Sequence, residues 1–137
     1  MLESRRRLEH RLRSCGIKPT SQRIEVGLML LETPIHLSAD QILSNLRAEG
    51  SHISKATIYN TLNLFINHGL AREVLVDSTR QFYDSSPQPH HHFYNVDTGE
   101  LIDIQLDEIE INSLPELPHG TEAQDLELII RVSNKRN

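Results

Sequence analysis

The apolar positions of this chain fall into four helical stripes followed by short alternating runs. Leu8 and Leu12, four apart among arginines, predict a helix over 2–15, which Gly16 stops. After the Lys18-Pro19-Thr20 turn, Thr20 can cap a second helix over about 21–32 through Ile24, Leu28 and Leu31, until Thr33-Pro34 breaks it. Ser38-Ala39-Asp40-Gln41 has the form of a capping box and opens a third helix, about 39–49, with Ile42 and Leu46 inward and Gly50 at its end. Ser54 caps a fourth, about 55–68, whose buried stripe is Ile58, Leu62, Phe65 and Ile66 and whose stop is Gly69.

Beyond Gly69 the period shortens. Leu70–Val76 and Arg80–Tyr83 around Asp77-Ser78-Thr79 read as a β-hairpin. Short helices followed by a hairpin is the order of a winged helix-turn-helix, with the fourth helix as the recognition helix and the hairpin as the wing. Residues 85–89 are linker-like. Phe93–Val96 and Leu101–Ile104 flank an Asp97-Thr98-Gly99 turn, residues 107–113 suggest a short helix, 115–120 a loop, and Leu126–Val132 a strand. The expected fold class is α+β: a winged-helix domain over 1–84, a linker over 85–89, and a small α+β domain over 90–137. About 50 residues form a marginal core alone, and pairing with a second copy is the usual remedy.

Charge sharpens this division. Residues 1–83 hold 11 Lys/Arg against 8 Asp/Glu, whereas residues 84–137 hold 3 against 11, so an overall charge of −5 hides a basic front on an acidic body. Such a front suits a polyanion, although a solvated basic helix is an equal reading of that feature alone. No apolar run nears the roughly 20 residues of a membrane span, and the charged residues 1–13 contain no signal-peptide core. With the single Cys15, this points to a cytoplasmic protein without a membrane partner, and one thiol cannot build a four-cysteine structural zinc site. There is no phosphate-binding glycine loop, nucleophile elbow or paired nucleophile and base, so an enzyme is not expected.

Two groups of residues could carry chemistry. The outer face of the fourth helix should present Lys55, Tyr59, Asn60 and Asn63, types that meet phosphates, guanine or adenine. With Arg13, Lys18, Arg23 and Thr57, the residues Lys55, Tyr59 and Asn60 form the expected double-stranded-DNA set; a plain amphipathic helix is the alternative. The second group is His90-His91-His92. On a strand His90 and His92 would share a face, and Asp84, Glu110, His36 or His119 could complete an imidazole–carboxylate site for Fe, Mn or Zn. Axial ligation of haem iron also takes imidazole. A small metalloenzyme using His90 and His92, or an iron or haem carrier, would share these residues but leaves the basic helical front unexplained.

Taken together, these segments resemble the ferric uptake regulator (Fur) family over nearly the whole chain. The resemblance rests on Leu12-Arg13 to Gly16, Pro19-Thr20 and Arg23, His36-Leu37-Ser38-Ala39, Ile53-Ser54-Lys55-Ala56-Thr57-Ile58-Tyr59-Asn60-Thr61-Leu62, Phe65 to Leu70, Phe82-Tyr83-Asp84, His90–His92 and Gly99. It implies a homodimeric transcription repressor. It also implies an inter-domain metal site at His36, Asp84, His90 and His92, with a neighbouring haem or second-metal site at His90, His91, His92 and Glu110. The family's two C-x-x-C pairs are missing: Asn95 and Thr98 stand at the first, and the last histidine ligand falls near Asp125 or Leu126. These departures resemble the iron response regulator (Irr) branch, which implies control of iron and haem genes through haem or a divalent metal.

Overall fold

The computed structural model describes residues 2–32, 36–77, 80–85 and 91–136, and the chain divides into two compact units, Met1–Pro87 and Gln88–Asn137. In the first, α1 (Leu2–Ser14), α2 (Ser21–Leu30), α3 (Ala39–Ala48) and α4 (Lys55–Asn67) accompany a small antiparallel sheet of β1 (His36–Ser38), β2 (Arg72–Leu75) and β3 (Gln81–Asp84), in the order β1-β3-β2.

The helices begin and end where their local chemistry dictates. Thr20 accepts the Arg23 N–H at the head of α2, and Ser54 accepts that of Thr57 at the head of α4. The capping box of α3 is complete: Ser38 Oγ accepts the Gln41 N–H and Gln41 Oε1 accepts the Ser38 N–H. At the other end of α4, Gly69 takes φ 75°, which lets the Leu70 N–H reach the Phe65 carbonyl at 2.8 Å and the Gly69 N–H the Ile66 carbonyl at 3.0 Å. The chain therefore turns sharply into the hairpin. Leu8, Leu12, Ile24, Leu30, Ile42, Ile58, Leu62 and Phe65 fill one core, and Tyr83 packs into it from β3. Cys15 is half-buried at its edge.

The second unit is a three-stranded sheet, β5-β4-β6, of β4 (His91–Asn95), β5 (Leu101–Ile104) and β6 (Ile129–Val132). β4 runs antiparallel to β5 and parallel to β6. Among the described residues no helix is long and apolar enough to cross a membrane.

Three local expectations change. His36, expected ahead of a helix without a strand of its own, lies in β1, whose three residues are too few to show a period and are extended by pairing with β3. The helix expected over 107–113 is a single 3-10 turn, Leu106–Glu108. Ile109 and Ile111 alternate two apart, so a helix would split them between faces, and Pro115 follows closely. The last strand starts at Ile129 rather than Leu126, because the Leu128 N–H is taken by the His91 ring at 3.0 Å. The expected turn at Asp77-Ser78-Thr79 and the linker over 85–89 fall mostly outside the described residues, as does His90.

Candidate metal ligands and nucleic-acid face

In the first unit the sheet register builds a histidine–carboxylate pair. β3 is the central strand, so Asp84 stands opposite His36 on one side and Arg72 on the other, and directly opposed residues share a face. His36 Nε2 lies 3.2 Å from Asp84 Oδ2, with side chains 14 % and 4 % exposed. Next along β3, burial pushes the Tyr83 hydroxyl up to about 12, with the charge of Glu73 adding to it.

The second unit builds a corresponding pair on β4. His92 is 1 % exposed; its Nε2 lies 3.2 Å from Asp103 Oδ1 and its Nδ1 3.8 Å from Glu127 Oε1. Asp103 is its register partner on β5, and Glu127 precedes β6, so a buried imidazole on the middle strand meets a carboxylate from each side. His91 is also buried, but its Nδ1 accepts the Leu128 N–H and so holds the start of β6. Glu110 is exposed beyond the 3-10 turn, and no described hydrogen bond or ion pair joins it to His91. His119 is likewise exposed, in a turn.

Asp103 and Glu127 were not among the residues singled out from the sequence. Asp103 left a signal: counting outward from the Asp97-Thr98-Gly99 turn gives the ladder Tyr94–Leu101, Phe93–Ile102, His92–Asp103. Glu127 left none, since it reaches His92 through a parallel pairing closed by a long loop. Each pair combines an imidazole nitrogen with carboxylate oxygen, a donor set suited to borderline and hard divalent cations such as Zn, Fe and Mn.

The outer face of α4 carries the polar residues expected there. Lys55, Tyr59, Asn60 and Asn63 are exposed, while Thr57 is half-buried and its hydroxyl lies 2.9 Å from that of Ser54. A cleft of ≈ 400 Å³ between α2 and α4 is lined by Thr20, Gln22, Arg23, Thr57, Asn60, Thr61 and Leu64. Arg23 at its rim donates to the Lys18 carbonyl at 2.9 Å, which orients the guanidinium and leaves further donors. Lys18 and Arg13 are exposed, Arg13 with Glu9 at 4.0 Å.

Residues 14–131 match the profile of the ferric uptake regulator family. Among curated relatives, the peroxide-responsive repressor PerR of Staphylococcus saprophyticus is 33% identical over 102 residues, covering 72% of this chain and 69% of that protein. Among solved structures, the ferric uptake regulator from Pseudomonas aeruginosa with manganese superposes with a TM-score of 0.69 at 28% identity, covering 94% of this chain and 98% of that one. The ferric uptake regulator from Francisella tularensis with iron gives a TM-score of 0.70 at 28% identity, covering 88% and 93%.

Proposed function

This chain belongs to the ferric uptake regulator family, and on that premise we propose that it is a homodimeric repressor that binds operator DNA through α4 when a divalent cation occupies its histidine–carboxylate pairs. As a family member it is a metal-responsive transcription regulator and not an enzyme, which sets aside the metalloenzyme reading of the histidine run.

The observation that carries the proposal is His92, a buried imidazole with carboxylates on both sides. A carboxylate oxygen beside each ring nitrogen favours a cation at this imidazole. The donors on offer are His36 with Asp84 in the first unit, and His92 with Asp103 and Glu127 in the second. When bound, the cation supplies positive charge and fixed coordination. The chain's own residues bring the donors into register and keep water from the imidazoles. Iron and manganese enter because relatives were solved with them, and zinc because the donors accept it.

Homodimerisation is proposed from the small second unit, whose sheet exposes Ile102 and Ile130. Two recognition helices on a two-fold axis read a palindrome. Regulation of iron-responsive genes and residence in the cytoplasm go with this reading. Haem sensing at the histidine run, as in the Irr branch, is the finer alternative. The geometry favours the cation, because His92 faces carboxylates and His91 Nδ1 holds the Leu128 N–H.

The test is a titration of the full chain with Mn(II), Fe(II), Zn(II) and haem separately, each followed by DNA binding to duplexes selected from a random pool. Enrichment of a palindrome with a divalent cation, lost in His92→Ala, is expected. Enrichment only with haem, or unchanged by His92→Ala, would overturn the cation proposal.

A further inference from the structure

Lys55 is the first residue of α4, immediately after the Ser54 cap. A cation there faces the positive end of its own helix, an unfavourable place unless something negative lies near. Something does: Lys55 Nζ is 3.0 Å from Asp40 Oδ1. Asp40 lies in the first turn of α3, where that helix's N-terminus favours a carboxylate. The ammonium also sits 6.0 Å from the centre of the Tyr59 ring, on the same exposed face of α4. Asp40 raises the Lys55 pKa, through its hydrogen bond first and its charge second. Both side chains are more than half exposed, so the pair can open.

The Lys55 ammonium, placed to meet a nucleic-acid phosphate, is thus already occupied by a carboxylate that offers it similar charge and oxygen donors. We propose that Asp40 is a built-in competitor for DNA phosphate at Lys55, which lowers the sequence-independent affinity of the recognition helix for duplex DNA. This rests on the DNA-binding reading above and adds to it a residue that opposes binding. Phosphate contact supplies most of the affinity for arbitrary duplex, so one competed lysine is felt most there.

The test uses the full chain loaded with manganese and a fluorescently labelled duplex of random sequence, with anisotropy read between 50 and 300 mM KCl. Asp40→Asn is expected to tighten binding by about two- to fivefold at the lowest salt, the scale of one exposed ion pair, and the gain should fade as salt rises. Lys55→Ala should weaken binding and lower the slope of log K against log salt by about 0.9. In the Lys55→Ala background, Asp40→Asn should have no further effect. Glu49→Gln, which removes the same charge from the exposed end of α3, is the control and should change little. A tightening that persists without Lys55, or that Glu49→Gln reproduces, would mean a general charge effect and overturn the proposal. Unchanged or weaker binding by Asp40→Asn would overturn it as well. If the unmodified chain binds no duplex at 50 mM salt, the DNA-binding reading fails, and this proposal with it. Asp40→Ser, which keeps a polar residue in the first turn of α3, guards against a folding defect of the asparagine variant and should tighten binding equally.

Discussion

His92 and Asp103 face each other across the β4–β5 ladder, with the buried imidazole nitrogen 3.2 Å from a carboxylate that remains 38 % exposed. One member is fixed by the sheet interior and the other can reach a cation from solvent. That division of labour makes Asp103 the better residue to alter. Asp103→Asn should leave the thermal midpoint within a few degrees of the parent and weaken Mn(II) binding by at least about tenfold in a chelator competition, since even outer-shell partners commonly account for that much. Unchanged affinity would remove Asp103 from the ligand set.

His36 and Asp84 allow a parallel test from the other unit. His36→Ala should weaken Mn(II) binding at the His36–Asp84 pair by at least about tenfold in the same chelator competition. Unchanged affinity would remove His36 from the ligand set.

Arg23 lines the cleft beside Asn60 and is held by the Lys18 carbonyl. Arg23→Ala should lower the slope of log K against log salt for DNA binding by about 0.9, as loss of one phosphate contact does. Melting should show little change. Salt slopes that coincide with those of the parent would place Arg23 outside the interface.

The capping box at Ser38 closes the short link from β1 into α3. Ser38→Ala should cost about 1 kcal/mol in urea unfolding, and Ser38→Asp much less, because aspartate also accepts the orphan N–H. A serine-to-alanine change without effect would mean that tertiary packing alone holds the start of α3.

Tyr83 gives a pH-dependent prediction. Its folded-state pKa is raised from 10.0 to about 12, so between these values the unfolded chain has released a proton that the native chain retains. Stability therefore falls as pH climbs from 10 towards 12, and is unaffected by this group below that window. Tyr83→Phe should flatten this alkaline decline in chemical-unfolding curves, and a decline as steep as the parent's would assign it to other groups.

Much of the first unit is local, and local physics is legible in residue order. The caps at Thr20, Ser38 and Ser54, the stops at Gly16 and Gly69, and the i, i+4 spacing of Leu8 with Leu12 and Ile58 with Leu62 each act within one or two turns. The sequence by itself therefore determined four helices, a hairpin and a second β-rich segment, together with a face of α4 that carries Lys55, Tyr59 and Asn60. The turn-closed hairpin of β4 and β5 also determined, through its register, that His92 and Asp103 oppose each other. Only the tertiary structure decided the rest. It drew His36 into β1 beside Asp84, set Glu127 against His92 through a parallel pairing, spent His91 Nδ1 on the Leu128 N–H, and placed Asp40 on Lys55. These partners are 15 to 48 positions apart, where chain closure rather than propensity governs contact, and no periodicity along the chain records which residues such closure brings together.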